Sequence, residues 1–435
     1  MPQAPRRKWS RILIASIALA GALYGISSLV DSAGDSAARP DTVAVPRDCS
    51  PQSIFPGRLP GIPRVDAQAQ AFATDLVMRH PSVLTVAVGL DLRTARPIFF
   101  LAREGEKPVT TDMRILAEPR YPMASLAKIL TSAAAISNGM DPFQSITFRG
   151  NAHTLYKSQI RPTQGGTEVS LAKAFAFSIN PVFGALGAST LGRETILRWA
   201  DSLGFNKPEG LGNGVPSGRM LAPADTYNLA EVSSGFVRTT FLSPVHAAMI
   251  VRKFAHDGVL RPPSWTPPEL DSTCAESTIP DKRPYDGLGE LFRLTVDSGT
   301  ARGGFQAGWP IEAREGFQLG GKTGSLDGKD PEGRYEWFAG FARIEGEPDS
   351  GIAIAVMTVN AGRHVLNASW TAASLLHWWA RHATKLDAIP VAANDAKQLD
   401  AARAKYTQDD KDALSERPWH RPWRKKRIRR KARPH

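Results

Sequence analysis

The hydrophobic pattern begins with one long apolar run near the N-terminus. Ile12–Val30 are 19 consecutive uncharged, mostly apolar positions. As a helix they would span about 28 Å, close to the roughly 30 Å core of a bilayer. Basic residues precede the run, and Asp31 and Asp35 follow it. The positive-inside rule therefore predicts a single-pass anchor in the cytoplasmic membrane, with residues 1–11 in the cytoplasm and the rest on the periplasmic or extracellular side.

A cleaved signal peptide is the alternative interpretation of this run. Ala18-Leu19-Ala20 has the small-residue pattern of a cleavage site, but it falls too early within the apolar segment. Residues 31–64 are rich in Pro, Ser, Ala and Gly, which is typical of a linker. The pattern thus predicts an anchor at 12–30, a linker at 31–64 and a folded region after it.

The folded region opens with helical and then alternating periodicity. Residues 65–80 have apolar positions at helical spacing. Leu84–Asp91 alternates, because Val86, Val88 and Leu90 face one side while Thr85, Ala87 and Gly89 face the other. A short polar turn leads to a second apolar run, Pro97–Ala102, so the pair predicts a β-hairpin.

Further along, helical patterns dominate from about Ser125 to Gly258, and strand patterns return afterwards. The late strands are predicted at Gly316–Ser325, Glu336–Ile344 and Ile352–Val359, with a final amphipathic helix at Asn367–Leu386. Strands from both ends of a segment can form one antiparallel sheet that carries helices on its faces. Residues 387–435 are polar and end in a basic stretch, so they are predicted to be a disordered tail.

The net charge of +12 does not indicate a nucleic-acid-binding protein. Residues 1–11 and 417–435 together hold 14 of the 54 basic residues and no acidic ones, so 40 basic residues face 42 acidic ones elsewhere. The body of the chain is close to neutral, and no partner nucleic acid is expected. The two cysteines, Cys49 and Cys274, could form a disulfide outside the membrane, although the sequence does not show that they meet.

Three short segments carry candidate chemistry. Ser125-Leu126-Ala127-Lys128 opens an apolar helical run, Ser178-Ile179-Asn180 follows it, and Lys322-Thr323-Gly324 lies in the first late strand. A serine hydroxyl is a weak nucleophile that needs a nearby base. Residues i and i+3 share a helix face, so Lys128 can reach Ser125. Burial and a second ammonium at Lys322 would lower the pKa of Lys128 and make it a base.

The third segment has groups that suit a substrate anion. The hydroxyls of Thr323 and Ser325, together with Lys322, could receive a carboxylate. Gly324 lets a substrate backbone lie against the strand. The backbone N–H groups of Ser125 and Ser325 are predicted to form an oxyanion hole.

The tetrad alone is weak evidence, because the chain contains it twice. Ser170-Leu171-Ala172-Lys173 repeats the same four residues. It follows a turn-like Gly165-Gly166-Thr167 and lies only eight positions before Ser178. We therefore interpret Ser170 as the N-cap of a short helix rather than as a nucleophile.

In this order, S-x-x-K, S-x-N and K-T-G resemble the motif set of penicillin-binding proteins and β-lactamases. The resemblance extends over about residues 65–385. The stretches Ser178–Phe205, Ser243–Gly258 and Val296–Ala301 are similar to blocks of high-molecular-weight penicillin-binding proteins. It implies an α+β fold in which residues 65–386 form a five-stranded antiparallel sheet flanked by helices, plus an all-helical lobe.

The resemblance also implies roles for these residues. Ser125 would form an acyl-enzyme with peptidoglycan stem peptides or β-lactam antibiotics, and Lys128 would be the base. Ser178 would relay the proton to the leaving nitrogen with help from Lys322, and Asn180 would orient the substrate amide. No cofactor or metal is implied, and a glycosyltransferase is a possible partner.

Several functions fit this set of motifs. A D,D-transpeptidase is the main interpretation, and a D,D-carboxypeptidase or a serine β-lactamase is the alternative within the enzymes. A β-lactam-binding sensor or wall-binding partner protein is the non-enzymatic alternative. Glu209 and Asn213 have the Glu-x-x-x-Asn spacing of deacylating β-lactamases, but they lie in the glycine-rich segment Pro208–Asn213, where a solvated carboxylate is the simpler interpretation.

Overall fold

The computed structural model describes residues 63–161, 165–265, 283–362, 366–383 and 391–416, with the backbone alone for 283–285. In chain order, the strands are β1 (Arg64–Val65), β2 (Leu84–Asp91), β3 (Pro97–Glu104), β4 (Tyr121–Pro122), β5 (Ser145–Phe148), β6 (Thr167–Ser170), β7 (Arg219–Met220), β8 (Thr240–Leu242), β9 (Phe317–Lys329), β10 (Glu332–Ile344), β11 (Gly351–Asn360) and β12 (Val391–Ala392). The helices are α1 (Ala67–Arg79), α2 (Met113–Leu116), α3 (Ala127–Ser137), α4 (Leu171–Ala176), α5 (Asn180–Ala185), α6 (Gly192–Ser202), α7 (Thr226–Ser234), α8 (Pro244–Ala255), α9 (Arg283–Asp297), α10 (Arg302–Gly308), α11 (Ala368–His382), α12 (Ala396–Arg403) and α13 (Gln408–Ser415).

Several predicted segments lie outside the described residues. They are residues 1–11, the apolar run 12–30, almost all of the linker 31–64, both cysteines and the basic end 417–435. Within the described residues, no helix is both long and apolar enough to cross a membrane.

A five-stranded antiparallel sheet forms the centre, in the order β3-β2-β11-β10-β9. The predicted hairpin and all three predicted late strands are its members. The strand β11 is buried at all ten positions, because it is the middle strand and both faces of the sheet are covered. The expected α+β architecture is therefore confirmed.

The sheet separates two hydrophobic cores. On one face α1, α10 and α11 bury Trp370 and Trp378 together with Ala87 of β2. On the other face α3, α8 and α9 pack against alternate positions such as Val86 and Val88. This division follows the alternation in the sequence, since successive residues of a strand point to opposite faces.

The two helices that the sequence placed at the ends of the domain begin at polar caps. The Asp66 side chain accepts from the backbone N–H of Ala69 at the start of α1, and the Asn367 side chain accepts from Trp370 at the start of α11. The predicted range of the second helix, Asn367–Leu386, is longer than the observed α11, which ends at His382.

The helical lobe departs from the all-helical expectation. Two small antiparallel sheets accompany its helices: β5 and β6 form one, and β7 and β8 together with β4, which precedes α3, form the other. Their strands have two to four residues, which is too short for a period-2 pattern to emerge from the sequence.

The prediction that 387–435 is disordered is wrong for residues 391–416. The strand β12 pairs with β1, and α12 and α13 pack against α1. Leu399 and Leu414 are buried there, and Arg403 lies 3.0 Å from Asp75. Each of these helices buries only one or two apolar residues, so the segment is polar in composition and folds because it docks on the domain.

Candidate active site

Ser125 lies on a one-turn 3-10 helix, Ala124–Leu126, that leads directly into α3. The preceding Ala124 has φ 50°, a left-handed value that costs energy for a residue with a Cβ. Two glycines allow neighbouring backbones to approach this turn. A Cβ on Gly324 would lie 3.3 Å from the Ser125 nitrogen, and a Cβ on Gly235 would lie 1.9 Å from the Ala124 oxygen. The strand β9 therefore runs alongside the nucleophile.

Lys128 sits on the first turn of α3 and is completely buried. Its Nζ lies 2.8 Å from Ser125 Oγ, 2.8 Å from Asn180 Oδ1 and 2.6 Å from the carbonyl oxygen of Ser234. Burial lowers the pKa of Lys128 well below its ordinary value, and the charge of Lys322 lowers it further. These conditions favour a neutral amine.

The three partners of Lys128 fix the direction of its lone pair. A neutral amine donates two hydrogen bonds and accepts one. Asn180 Oδ1 and the Ser234 carbonyl can only accept, so both must receive an amine proton. The remaining partner, Ser125 Oγ, carries a hydroxyl proton, and the lone pair of Lys128 must face it. The geometry suits proton transfer from Ser125 to Lys128.

The carbonyl of Ser234 reaches Lys128 because α7 ends at this point. Gly235 is its C-cap residue, with φ 71°, and the last carbonyls of a helix lack partners within the helix. The side chain of Thr131 donates to the Ser233 carbonyl at 2.7 Å, so α3 satisfies two successive carbonyls of α7. No sequence motif indicated this contact. Gly235, a glycine at the end of a helical run, could have been used to predict the helix cap.

Lys322 is the second buried lysine, and β9 carries it. Burial lowers its pKa to about 7. Its Nζ donates to the Thr323 carbonyl at 2.8 Å and lies 5.4 Å from the ring centroid of Phe175. The charge of Lys322 lowers the pKa of Lys128. The two predicted lysines therefore lie close enough to interact electrostatically.

The S-x-N segment joins α4 to α5. Ser178 has φ 57° and is half-buried, and within the described residues its hydroxyl has no hydrogen-bond partner. Asn180 is the first residue of α5. Its Nδ2 donates to the His153 carbonyl at 3.2 Å, and its Oδ1 accepts a hydrogen bond from Lys128 Nζ. Each polar atom of the Asn180 side chain thus has one partner in the protein; orientation of a substrate amide remains a prediction.

The hydroxyls of Thr323 and Ser325 each meet a residue that the sequence analysis did not single out. Thr323 Oγ1 is hydrogen-bonded to Thr300 Oγ1, and Thr300 Oγ1 also lies 3.2 Å from the Ala176 carbonyl. Ser325 Oγ accepts from Arg334 of β10 at 2.8 Å. Thr300 lies in Val296–Ala301, which the sequence indicated only as a segment similar to the family and not as part of the site. Arg334 lies in none of the sequence motifs.

Two sequence features that resemble site motifs have other structural surroundings: Ser170 of the second tetrad, and the pair Glu209 and Asn213. Ser170 caps α4 by accepting from the backbone N–H of Lys173, as expected. Glu209 is exposed, and Asn213 donates to the Pro263 carbonyl at 2.9 Å. Neither Glu209 nor Asn213 has a hydrogen bond to Ser125, Lys128 or Lys322 within the described residues. No group of His, Cys, Asp and Glu in the described part of the chain is arranged to hold a metal ion.

Comparison with known proteins agrees with this fold. The family described as the penicillin binding protein transpeptidase domain matches residues 100–374. That range covers more than half of the chain, and the chain belongs to this family.

Individual relatives are distant. The chain is 26% identical over 268 residues to peptidoglycan D,D-transpeptidase PbpA of Mycolicibacterium smegmatis, a match that covers 56% of this chain and 50% of that protein. The chain therefore spans about half the length of this curated relative.

Solved structures share the fold at low sequence identity. PBPA from Mycobacterium tuberculosis is 20% identical, with a TM-score of 0.54 over 76% of this chain and 82% of that one. A peptidoglycan glycosyltransferase from Burkholderia ambifaria is 17% identical, with a TM-score of 0.59 over 76% of this chain and 100% of that one.

Proposed function

We propose that this protein is a serine D,D-transpeptidase that acts on peptidoglycan stem peptides through an acyl-enzyme at Ser125. The observation that carries the proposal is the contact of 2.8 Å between Ser125 Oγ and Nζ of the completely buried Lys128. A serine beside a neutral buried lysine is an activated nucleophile, because the amine can take its proton. Family membership supports the reaction class.

In the first step, Ser125 Oγ attacks the carbonyl carbon of the penultimate D-alanine, and its proton passes to Lys128. The N–H groups of Ser125 and Ser325 would hold the oxyanion, which the approach of Gly324 to Ser125 supports. The C–N bond then breaks, and D-alanine leaves with a proton delivered through Ser178. Lys322 lies on β9, beside which the substrate would lie, and would supply positive charge to this relay.

In the second step, the amine of a neighbouring stem peptide attacks the ester carbon. The C–O bond to Ser125 breaks as the new amide bond forms, and the proton that the attacking amine loses passes through Lys128 to Ser125 Oγ. Asn180 holds Lys128 in place through both steps. Thr323 and Ser325 would receive the carboxylate of the terminal D-alanine during acylation, as expected from their hydroxyl groups on β9.

A β-lactamase is the weaker candidate because fast deacylation needs a base over the ester. Glu209 is exposed on its loop, and Asn213 is committed to the Pro263 carbonyl. We therefore expect a penicilloyl-enzyme at Ser125 to persist, and Glu209→Gln to change its lifetime little.

The location of the enzyme is part of the proposal. Residues 12–30 would anchor it in the cytoplasmic membrane as a single pass, with the catalytic domain on the periplasmic or extracellular side. A glycosyltransferase that polymerises the glycan strands is a possible partner, since cross-linking acts on newly made strands. The support for this placement is the apolar run and its charged flanks.

The deciding experiment is product analysis. The purified full chain is incubated in detergent with stem pentapeptides that carry an acceptor amine, and the products are identified by mass spectrometry, with Ser125→Ala as the control. We expect a cross-linked dimer that disappears in the control. A trimmed tetrapeptide alone would indicate a carboxypeptidase, whereas stable penicillin labelling with no peptide product would indicate a sensor or binding protein. Rapid penicillin turnover that Glu209→Gln abolishes would indicate a β-lactamase.

A further inference from the structure

The two lysines of the site are buried amines without a carboxylate partner. Lys128 and Lys322 are both completely buried. Their Nζ atoms contact only hydroxyl, side-chain amide and backbone carbonyl oxygens, all of which are neutral. Within the described residues, neither lysine forms an ion pair, and no acidic group acts on the pKa of either one. A buried ammonium therefore needs another source of negative potential.

Two phenylalanine rings supply such a potential. Lys322 Nζ lies over the ring of Phe175, 5.4 Å from its centroid, and Lys128 Nζ lies over the ring of Phe183, 5.6 Å from its centroid. Both rings are completely buried and pack edge to face, with their centroids 6.4 Å apart. The face of an aromatic ring is electronegative and attracts a cation within about 6 Å of the centroid, most strongly where water is excluded.

The two rings flank the S-x-N segment. Phe175 lies on α4 and Phe183 on α5. Phe183 follows Asn180 by three positions, so the two side chains share a face of α5, and both meet Lys128. One stretch of chain thus supplies a hydrogen-bond acceptor and an aromatic face to Lys128, and a second aromatic face to Lys322.

A ring suits these lysines better than a carboxylate would. A carboxylate beside Lys128 would strongly favour the ammonium form and prevent the amine from taking the proton of Ser125. An aromatic face attracts the ammonium more weakly. Lys128 can then be neutral before the attack and still be stabilised once it has received the proton. For Lys322, the ring favours the charged form on which the proposed proton relay depends.

Other titratable groups on the surrounding elements do not take over this role. Each lysine faces the other, and the charge of Lys322 lowers the pKa of Lys128. The charged groups on the elements packed around the pair and on the loop before α5 do not act on the pKa of either lysine. They include His153, Lys173 of α4, Glu231 of α7, Glu290 and Arg293 of α9, and Glu336 of β10.

We infer that Phe175 and Phe183 are positioning residues for the reaction, and that each stabilises the ammonium form of one lysine, Phe175 that of Lys322 and Phe183 that of Lys128. The rings act through the lysines and do not touch the reacting atoms. The inference rests on the proposed function, because it assigns Lys128 as the base and Lys322 as the cation of the relay.

The test uses the pH profile of acylation, which has two limbs. The second-order rate constant for acylation of the purified full chain by a chromogenic β-lactam is measured across the pH range. Acylation needs a neutral Lys128 and a charged Lys322, so the acid limb reports the pKa of Lys128 and the basic limb that of Lys322. Mono-, di- and trifluorinated phenylalanine are introduced at position 175 or 183, because fluorine withdraws electrons from the ring face and changes the size of the ring little.

The two series should move different limbs. Fluorination at position 175 weakens the stabilisation of the Lys322 ammonium and lowers its pKa, so the basic limb should move stepwise to lower pH while the acid limb stays in place. Fluorination at position 183 should lower the pKa of Lys128 and move the acid limb to lower pH. We expect about one pH unit for the trifluorinated ring, which is a tenfold change in the protonation equilibrium.

Phe292 provides the matched control. Its ring packs edge to face on that of Phe175, with the centroids 5.6 Å apart, and no cation of the described residues lies over its face. The same fluorinated residues at position 292 should leave both limbs in place. Phe175→Leu and Phe183→Leu, which remove the rings, should move the same limbs as the fluorinated series if they fold, as measured by circular dichroism.

Four results would overturn the inference. They are limbs that do not move in either series, limbs that move to higher pH, one limb that moves in both series, and an equal shift with fluorination at position 292, which would attribute the effect to packing. Failure of the proposed function is recognised separately, because the unsubstituted chain would then not be acylated at Ser125 at any pH.

Discussion

The chain contains the tetrad Ser-Leu-Ala-Lys twice, at residues 125–128 and 170–173, and the two copies have different structures. In the first, Ser125 follows a left-handed residue on a 3-10 turn, and the lysine is completely buried against Ser125, Asn180 and the end of α7. In the second, Ser170 has extended backbone angles and caps α4, while its lysine is exposed.

The difference indicates that the environment of the lysine, and not the tetrad itself, determines whether a neutral amine is favoured. Both serines are three residues before a lysine near a helix start, so the spacing in the sequence is the same although the backbone at the serine differs. In the second copy, however, the serine oxygen accepts from the backbone N–H of Lys173, and the ammonium extends into solvent. Only the first copy has the burial and the carbonyl partners that favour a neutral amine.

The largest predicted contrast concerns the nucleophile. Ser125→Ala should abolish covalent labelling by a fluorescent penicillin, because the attacking oxygen is gone, whereas Ser170→Ala should keep full labelling. The labelled peptide is identified by digestion and mass spectrometry. Labelling that survives Ser125→Ala, or that is lost in Ser170→Ala, would mean that the wrong copy has been assigned.

The lysines give the next contrast. Lys128→Met should slow acylation by about 10²- to 10⁴-fold, the usual contribution of a general base, whereas Lys173→Met should leave the rate unchanged. Rates are measured by stopped-flow with a chromogenic β-lactam. Circular dichroism is the control for folding, since Lys128→Met leaves Asn180 Oδ1 and the Ser234 carbonyl without a donor. Equal rates in the two variants would contradict the assignment.

The third prediction concerns the pH dependence of acylation. The base works as a neutral amine, so acylation is supported above the pKa of Lys128 and is lost as the pH falls through it. The charge of Lys322 lowers that pKa. Lys322→Ala should therefore raise the pKa of Lys128 and move the acid limb of the pH–rate profile of acylation to higher pH. Each profile is normalised to its own plateau before the comparison.

Lys322→Arg is the matched control, because it keeps the positive charge and should leave the acid limb in place. An acid limb that moves to lower pH in Lys322→Ala would show that the two lysines do not interact in the way described. Lys173→Met, which alters an exposed lysine, should not move the limb at all.

The smallest effect is expected on stability at the second copy. Ser170→Ala removes the N-cap of α4 and should lower the free energy of unfolding by about 1 kcal/mol. Ser125 caps no helix, so Ser125→Ala should cost less. Urea denaturation of both variants measures the difference, and a larger cost at Ser125 would contradict it.

Much of this protein could be predicted from its sequence. Alternation in Leu84–Asp91, the apolar run Pro97–Ala102 and the three late strand patterns identified all five strands of the central sheet, because each face of the sheet packs on a core. The order of the three motifs was sufficient to select Ser125 over Ser170. The cap function of Ser170 was also predictable, since it depends on residues only three positions away.

Other features depend on contacts between segments far apart in the chain. The carbonyl of Ser234 is 106 residues from Lys128, and a backbone carbonyl has no sequence signature. Arg334 meets Ser325 only because β9 and β10 pair in one register. The segment 391–416 looked disordered because its few apolar residues become buried only against α1 and α11.

Local periodicity and short motifs therefore determined which elements form and which serine is the candidate nucleophile, because both are properties of neighbouring residues. The burial of Lys128, the contact of Arg334 with Ser325 and the folding of the C-terminal helices were decided by the tertiary structure. Each of these depends on removal from water and on partners supplied by distant strands and helices, and a sequence pattern does not specify those contacts.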